Sequence, residues 1–240
     1  MSAYKVATFD CYGTLVDWEG GAAAFLYDLA RRSGDPRPES GAELRRRWEE
    51  IQFQCIHEDY RSYADVLRDS LRAWVAERGY RWNTKDGRAF EKSMQCWQPF
   101  YDTVPALRRV KDAGLTLGII SNSDHAIMDH TLRQLAPLEF DHVVLAEDVR
   151  SYKPGRMPFT RLLDEAGAAP EEVLHVAFGF EYDIRPAREL GMGTVWINRR
   201  REPAPDPEEP PDHEWHDLWG LAELVGAGSG PPWTTDTCCS

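Results

Sequence analysis

Short apolar runs alternate with longer amphipathic stretches along most of this chain. Runs of four or five residues are typical of strands that are buried on both faces of a parallel sheet. They occupy residues 6–9, 117–121, 142–145, 174–178 and 194–197. Helical patterns separate most of them, at residues 104–113, 124–135, 157–166 and 183–190. This alternation predicts an α/β fold built on a doubly wound parallel sheet.

A connection of about a hundred residues separates the first two predicted strands. Unstructured loops longer than ~15 residues are uncommon in compact domains, so this connection should have a structure of its own. Its periodicity and composition indicate helices at residues 20–32, 42–57, 60–78 and 85–98. We therefore predict a helical cap domain at 18–98, inserted into a core domain formed by 1–17 and 99–225.

The C-terminal part of the chain is less regular. Residues 201–212 are rich in Pro and Glu, which is typical of an extended surface linker. A short last helix is predicted at 216–225. Residues 226–240 have the composition of a disordered tail.

Composition narrows the range of partners. The 240 residues carry a net charge of −12, which disfavours nucleic acid and anionic membranes as partners. No apolar run approaches the ~20 residues of a membrane span, and the N-terminal residues do not have the pattern of a signal peptide. The five cysteines lack the spacing of a zinc site. A cytoplasmic protein with reduced thiols is expected.

The first chemical candidate is Asp10, which ends the apolar run 6–9. A turn through Gly13 follows, with Thr14 directly after it. In α/β sheets ligands bind at the carboxyl ends of the strands, and a carboxylate fixed there can act as a nucleophile. The alternative is that Asp10 caps a helix, because Asp is favoured at that position.

This run resembles the signature of the haloacid dehalogenase superfamily, D-x-[D/Y]-G-T-L, which opens with a nucleophilic aspartate. Phosphatases of the superfamily usually have a second Asp where this chain has Tyr12, and they use it as a general acid. The 2-haloacid dehalogenases have Tyr there, so Tyr12 resembles the dehalogenase branch (type II). The resemblance covers residues 4–225 and implies a Rossmann-like core with an inserted helical cap.

Two further motifs follow the next strands. Ser121 and Asn122 end the run 117–121, and Lys153 precedes Pro154. The resemblance implies that Ser121 binds the anionic group of the substrate and that Asn122 helps to receive a departing halide. It also implies that Lys153 neutralises the charge around the nucleophile. Residues 121–124 can equally serve as a strand end with a helix cap.

The fourth motif distinguishes between two reactions. The phosphatases place two Asp here, five residues apart, to bind magnesium; Asp183 matches the second, but Phe178 stands in the first position. A benzyl group cannot ligate Mg²⁺, which requires oxygen ligands. We therefore expect no metal and no cofactor. Where related dehalogenases have small polar residues that hold water, this chain has Phe178 and Phe180, which we expect to shape the substrate pocket.

The predicted cap supplies a candidate arginine. Residues 47–53 resemble the dehalogenase pattern R-x-x-Q-[L/I]-E-Y, which implies that Arg47 receives the halide. The neighbouring Arg45 and Arg46 leave the register open. Large aromatic residues of the cap either line the cavity or pack in the interior. The candidates are Trp18, Trp48 and Trp97.

Together these motifs predict hydrolysis of a carbon–halogen bond in a small 2-haloalkanoic acid. Asp10 attacks C2 to form an ester, Thr14 and Lys153 hold it, and Asp183 activates water. The predicted substrate-binding residues are Tyr12, Arg47, Ser121, Asn122, Phe178 and Phe180.

The expected partner is a small anionic organic substrate, and a homodimer is conceivable. The alternatives are a magnesium-dependent phosphatase, a catalytically weak binding protein, and hydrolytic opening of a strained ring. The sequence leaves open the leaving group, the stereochemistry and the chain length of the substrate.

Overall fold

The computed structural model describes residues 4–226, and these contain a six-stranded sheet in which all neighbouring strands are parallel. The strands are β1 (Val6–Phe9), β2 (Thr116–Ser121), β3 (His142–Leu145), β4 (Val173–Ala177), β5 (Gly193–Ile197) and β6 (His213–Trp215). Their order across the sheet is β3-β2-β1-β4-β5-β6. Strand β1 pairs with both β2 and β4, so the residue that follows β1 lies in the middle of the sheet edge.

Four α-helices lie between Asp17 and Gln98, in the connection from β1 to β2. They are α1 (Trp18–Arg32), α2 (Gly41–Ile56), α3 (Tyr63–Glu77) and α4 (Thr84–Ser93). Local sequence fixes where two of them begin. Asp17 accepts from the Gly20 N–H at the start of α1, and Ser40 forms a capping box with Glu43 at the start of α2. The predicted α/β fold with an inserted helical cap is thereby confirmed.

The chain leaves and re-enters the core at adjacent points. The Asp17 backbone N–H donates to Gln98 O at 2.9 Å, and the Phe100 N–H donates to Leu15 O at 3.0 Å. The two connections between the helical cap and the sheet are therefore hydrogen-bonded to each other. The domain limits at 17/18 and 98/99 stay a prediction, but they fall within this pair of connections.

The remaining helices belong to the core. They are α5 (Thr103–Asp112), α6 (His125–Gln134), α7 (Ala146–Val149), α8 (Met157–Ala166), α9 (Arg185–Glu189) and α10 (Trp219–Leu224). A π-helical turn, Phe180–Ile184, precedes α9. The central strands are almost fully buried, as their uninterrupted apolar runs predict.

One strand was not predicted from sequence. Strand β6 follows the irregular segment 201–212 and pairs with β5 at the sheet edge. Its three residues, His213–Trp215, form no apolar run because the strand is only partly buried, and continuous apolar runs are typical of strands that are buried on both faces. Of the predicted tail, residues 227–240 lie outside the described residues. Between residues 4 and 226, the helices are all too short or too polar to cross a bilayer.

Candidate active site

A carboxylate at the carboxyl end of β1 forms the centre of the site. The Asp10 backbone N–H donates to Val176 O at 3.1 Å, which extends the ladder between β1 and β4 by one residue. Asp10 is 7% exposed, and Thr14 Oγ1 donates to its Oδ2 at 2.9 Å. Thr14 is fixed in turn because the Phe178 N–H donates to Thr14 Oγ1 at 2.9 Å. Gly13 permits this turn, with a φ of +105° that residues with a Cβ rarely adopt.

A buried lysine connects two carboxylates. Lys153 Nζ donates to Asp10 Oδ1 at 2.9 Å, to Asp183 Oδ1 at 2.6 Å and to Ile120 O at 2.9 Å. An ammonium group has three N–H donors, so all of them are used. The Asn122 side chain holds the lysine in place: its Oδ1 accepts from the Lys153 N–H at 2.7 Å, and its Nδ2 donates to Lys153 O at 3.1 Å.

A histidine in the sheet positions the second carboxylate. His175 Nε2 donates to Asp183 Oδ1 at 3.1 Å, and the Thr8 hydroxyl donates to His175 Nδ1 at 2.9 Å. This arrangement needs only the neutral imidazole with its proton on Nε2. His175 was not among the site residues predicted from sequence. One feature of the sequence could have identified it: His175 is a polar residue in the middle of a buried strand. Such a residue needs a hydrogen-bond partner inside the protein.

Charge and burial act differently on the three ionisable groups. Burial raises the pKa of Asp10 above its ordinary value, and the Lys153 ammonium only partly offsets this. Burial also acts to raise the pKa of Asp183, but Lys153 and the His175 hydrogen bond outweigh it, so that pKa is lowered. For Lys153, burial is outweighed by the two carboxylates, and its pKa is raised. The lysine is therefore charged, and Asp183 ionises more readily than Asp10.

A cavity of about 80 Å³ opens above these groups. A cavity needs ~10–15 Å³ to hold one buried water. This cavity therefore has room for a small organic molecule of a few heavy atoms. Its floor belongs to the core and consists of Asp10, Ser121, Asn122, Lys153, Phe178 and Asp183. The carboxylates of Asp10 and Asp183 therefore face a confined space between the core and the cap.

The cap side of the cavity is mainly aromatic. Its largest residues are Trp18, Trp48 and Trp97, which all lie in the buried interior. Two polar residues of α2 also line it, Glu49 and Gln52. A place for the three tryptophans in the cavity lining was one of two alternatives predicted from sequence, and the two polar residues were not predicted. They lie three residues apart on one helical face, and only packing shows which face is turned inward.

Two other predicted substrate-binding residues also contact the cavity. Tyr12 lines it, with its hydroxyl 2.8 Å from Thr131 Oγ1. Ser121 lies at the end of β2, and its hydroxyl donates to Ser123 Oγ at 3.2 Å. Both side chains thus reach the cavity with their orientation fixed by neighbours in the core.

The structure does not bring Arg47 to the cavity, which corrects the assignment of this residue as the halide-binding arginine. Its side chain is 42% exposed and pairs with Glu50 and Glu77 on the outer side of the cap. A helix turns by about 100° per residue, so a register error of two residues moves a side chain to the opposite face. Arg45 is the arginine on the inner side: it is 4% exposed, and its Nη1 lies 2.5 Å from Glu49 Oε2.

Phe180 also lies outside the cavity, and its predicted role there is corrected. Its ring packs against Trp196, with 5.6 Å between the ring centres. It borders a second, larger cleft of about 490 Å³, which shares Glu49, Phe178 and Tyr182 with the first cavity. Consecutive residues in the turn 178–183 point in different directions, so Phe178 reaches the cavity and Phe180 does not.

The site offers little to a metal ion. Within residues 4–226, no group of three His, Cys, Asp or Glu side chains is arranged to hold one. The apolar ring of Phe178 lies on the cavity floor, and it offers no oxygen atom that could ligate a metal ion. The space between Asp10 and Asp183 contains the Lys153 ammonium. The residues present therefore do not fit a divalent cation between these two carboxylates, although independence from metals stays a prediction.

Comparison with known proteins places the chain in a family. An (S)-2-haloacid dehalogenase of Pseudomonas putida is 26% identical over 219 residues, which cover 89% of this chain and 92% of that protein. The crystal structure of the L-2-haloacid dehalogenase RSc1362 has a TM-score of 0.83 at 26% identity and covers 93% of this chain and 99% of its own.

A structure of the L-2-haloacid dehalogenase from Xanthobacter autotrophicus, with chloropropionic acid covalently bound, has a TM-score of 0.78 at 19% identity. It covers 93% of this chain and 98% of its own, and at that identity the likeness shows the fold alone. The family of haloacid dehalogenase-like hydrolases matches residues 4–191, which is most of the chain. The protein therefore belongs to the haloacid dehalogenase-like hydrolases.

Proposed function

We propose that this protein is a hydrolytic dehalogenase of small 2-haloalkanoic acids that acts through a covalent aspartyl ester. The observation that carries the proposal is the placement of Asp10 on the cavity floor, with Thr14 on one oxygen and Lys153 on the other. Tyr12 stands where a phosphatase would need a general acid. The names of the relatives support the same reaction, and (S)-2-haloacids are therefore the first substrates to test.

In the first step, the Asp10 carboxylate attacks C2 of the substrate. A carbon–oxygen bond forms, the carbon–halogen bond breaks, and the halide departs with the bonding electrons. Lys153 and Thr14 hold the carboxylate so that it approaches in a fixed orientation. Ser121 and nearby backbone N–H groups bind the substrate carboxylate. The Asn122 side chain already makes two hydrogen bonds to Lys153, so its main role is to fix the lysine.

In the second step, Asp183 takes a proton from a water molecule, which attacks the carbonyl carbon of the Asp10 ester. The ester carbon–oxygen bond then breaks, and the proton returns to the leaving alkoxide of the product. His175 and Lys153 hold Asp183 Oδ1. Gly179 leaves space beside the other oxygen, because a Cβ on Gly179 would stand 2.7 Å from Asp183 Oδ2.

The arginine that stabilises the departing halide is reassigned to Arg45. Its guanidinium carbon lies 5.1 Å from the centre of the Trp18 ring, and it pairs with Glu49. Both partners line the cavity. Arg45 thus places a positive charge directly behind the cavity wall, where it can stabilise negative charge that develops inside.

The proposal includes three properties of the protein as a whole. We expect activity without a divalent metal, a cytoplasmic location, and a homodimer as the first oligomeric state to test. None of these follows from the cavity itself, and each can be measured separately.

Halide release and phosphate release distinguish the main alternatives. The purified protein is incubated with both enantiomers of 2-chloropropionate, with haloacetates, and with a panel of phosphate monoesters. Each substrate is assayed with and without a chelator and with added magnesium. We expect halide release that the chelator does not change, and no phosphate release. Phosphate release that depends on magnesium, without halide release, would favour the phosphatase.

A further inference from the structure

Asp102 and Arg199 form a buried ion pair close to the turn that follows Asp10. Arg199 lies two residues after β5, and Asp102 directly precedes α5. Arg199 Nη1 donates to Asp102 Oδ2 at 2.9 Å, and Nη2 donates to Oδ1 at 3.1 Å. The Asp102 side chain is fully buried and that of Arg199 is 15% exposed. Two parallel hydrogen bonds of this kind fix the orientation of the guanidinium plane as well as its position.

The same guanidinium group also reaches the turn that carries the nucleophile. Arg199 Nη2 donates to the backbone carbonyl oxygen of Thr14 at 2.9 Å. The Thr14 hydroxyl donates to Asp10 Oδ2 and accepts from the Phe178 N–H. Thr14 is therefore held through its backbone by Arg199 and through its side chain by Asp10 and Phe178. Two hydrogen bonds in series connect Arg199 to the Asp10 carboxylate.

Asp102 connects this arginine to further segments of the core. Its Oδ2 also accepts from the Leu218 N–H at 2.8 Å, at the start of α10. The guanidinium carbon lies 3.9 Å from the centre of the Phe100 ring, and the Phe100 N–H donates to Leu15 O. A buried ion pair contributes little net stability, because desolvation of the two charges offsets their attraction. Stability alone therefore does not account for a charged pair at this place.

We propose that Arg199 is a positioning residue for the nucleophile. By holding the Thr14 carbonyl, it keeps the Thr14 hydroxyl on Asp10 Oδ2 and so keeps the carboxylate in the orientation that attacks C2. The inference rests on the proposed dehalogenase function and adds to it a residue that lies outside the cavity. Because Arg199 does not contact the substrate, it should affect the rate of ester formation more than the binding of the haloacid. A misplacement of ~1 Å can slow a reaction ~100-fold.

Arg199→Lys tests the inference in a protein that keeps a positive charge beside Asp102. An ammonium group is a point charge and lacks the planar fork of N–H groups that a guanidinium presents. In single turnovers we expect ester formation at saturating haloacid to slow about 10- to 100-fold. The haloacid concentration that gives half of the maximal rate should change less than about threefold, because the cavity lining is intact.

Chemical rescue tests whether the shape of the cation matters. Arg199 borders the second cleft, of about 490 Å³, so the space left by Arg199→Ala can be reached from that cleft. Ethylguanidinium should restore much of the rate of ester formation to this variant, whereas ethylammonium, which has the same charge without the fork, should not. Equal rescue by the two cations would overturn the inference. If the alanine variant does not fold, because Asp102 is left as an unpaired buried charge, Arg199→Lys still decides the question.

The pKa of Asp10 provides a measurement that requires no turnover. Burial raises this pKa, and the Thr14 hydrogen bond is one of the interactions that act in the opposite direction. Loss of that hydrogen bond in Arg199→Lys should therefore raise the pKa of Asp10 further, although the charge at position 199 is kept. The pKa is measured from the ¹³C shift of labelled aspartate side chains, and the Asp10 resonance is assigned by its absence in Asp10→Asn.

Arg200→Lys is the matched control. Arg200 is the next residue in the chain, and its side chain is 40% exposed and pairs with Glu19 and Glu202. Its rate of ester formation should stay within about twofold of the parent protein, as is usual for a surface ion pair. An equal slowing in this control would overturn the inference, since any change in this loop would then have the same effect.

The outcomes separate this inference from the proposed function. An unchanged rate and an unchanged Asp10 pKa in Arg199→Lys, with halide still released by the parent protein, would overturn the inference and leave the function intact. Slower ester formation with an unchanged Asp10 pKa would overturn the route through the Thr14 hydroxyl. If the parent protein releases halide from no haloacid but the Asp10 pKa rises in Arg199→Lys, the positioning role stands and the proposed function fails.

Discussion

The floor and the cap wall of the cavity differ in how their polar groups are satisfied. On the floor, Lys153 uses all three of its hydrogens, and Asp10 accepts a hydrogen bond on each oxygen. On the wall, aromatic rings meet at 6.1 Å between Trp18 and Trp48, while two of the three indole N–H groups have no acceptor within residues 4–226. The polar groups of the floor are therefore fixed before a substrate binds, whereas the wall supplies mainly aromatic surface.

This difference has a physical origin. The floor residues follow the carboxyl ends of parallel strands, and the hydrogen-bond ladder fixes their relative positions. Wall residues lie on helices, where position depends on rotation about the helix axis and on packing against neighbours. Substitutions on the floor should therefore abolish or stall the chemistry, and substitutions in the wall should change affinity or one step.

The largest effect is expected from Asp10→Asn. An amide is a poor nucleophile, so haloacid turnover should fall by about 10⁴-fold or more. The free energy of unfolding should stay the same or rise, because burial raises the pKa of Asp10 and the folded state therefore disfavours its charged form. Halide release and chemical denaturation measure the two effects. Activity close to that of the parent protein would remove Asp10 from the mechanism.

Asp183→Asn should stall the second step and leave the first step possible. The ester should form and then hydrolyse slowly, with kcat lower by about 10²–10⁴-fold, the usual contribution of a general base. Intact-mass measurement after substrate addition should reveal an adduct of the size of the substrate without its halide. Rapid turnover with no adduct would show that another group activates the water.

Arg45 and Arg47 provide a matched pair on α2, one on its inner side and one on its outer side. Arg45→Gln should slow ester formation about tenfold, the effect of losing a charge interaction of ~1.4 kcal/mol, while ester hydrolysis changes little. The double variant Arg45→Gln, Glu49→Gln controls for the carboxylate left unpaired in the first. Arg47→Ala should leave both steps unchanged, since its side chain pairs only on the outer surface. Single-turnover kinetics measures the two steps, and the opposite pattern would restore the arginine assignment made from sequence.

The smallest effect is expected from His175→Leu, which removes the N–H donor to Asp183. The pKa of Asp183 lies below its ordinary value partly because of this hydrogen bond, so its loss should raise that pKa. Asp183 acts as a base only when it is ionised. The acid limb of ester hydrolysis should therefore move to higher pH, while the rate at high pH changes by less than about tenfold, as for the loss of one hydrogen bond. An unchanged pH profile with lower stability would assign His175 to packing alone.

The sequence predicted the floor better than the wall. Residues 6–9 and 142–145 are strands within the limits that their apolar runs indicate, and the structure brings Asp10, Thr14 and Lys153 together with Asp183. Those positions depend on strand order and register, which short apolar runs reveal. Which of three consecutive arginines turns towards the cavity depends on the rotation of α2 about its axis. The mixed charged and aromatic sequence of this helix does not reveal that rotation.

Phe180 and His175 show two further limits. The turn 180–184 is π-helical, so the spacing between residues does not follow an α-helical pattern, and Phe180 faces Trp196 instead of the cavity. His175 was overlooked because its role arises from pairing across β1 and β4, where Thr8 is its partner in the register. Both depend on contacts between distant parts of the chain.

The most direct test of the covalent mechanism is a single turnover in H₂¹⁸O with enzyme in excess over the haloacid. If Asp10 is the nucleophile, water attacks the carbonyl carbon of its ester and the hydroxyl oxygen of the product comes from the Asp10 carboxylate. We expect heavy oxygen in the peptide that contains Asp10 and a largely unlabelled first product. Heavy oxygen in the first product, with an unlabelled peptide, would show that water attacks the substrate directly and that Asp10 is not the nucleophile.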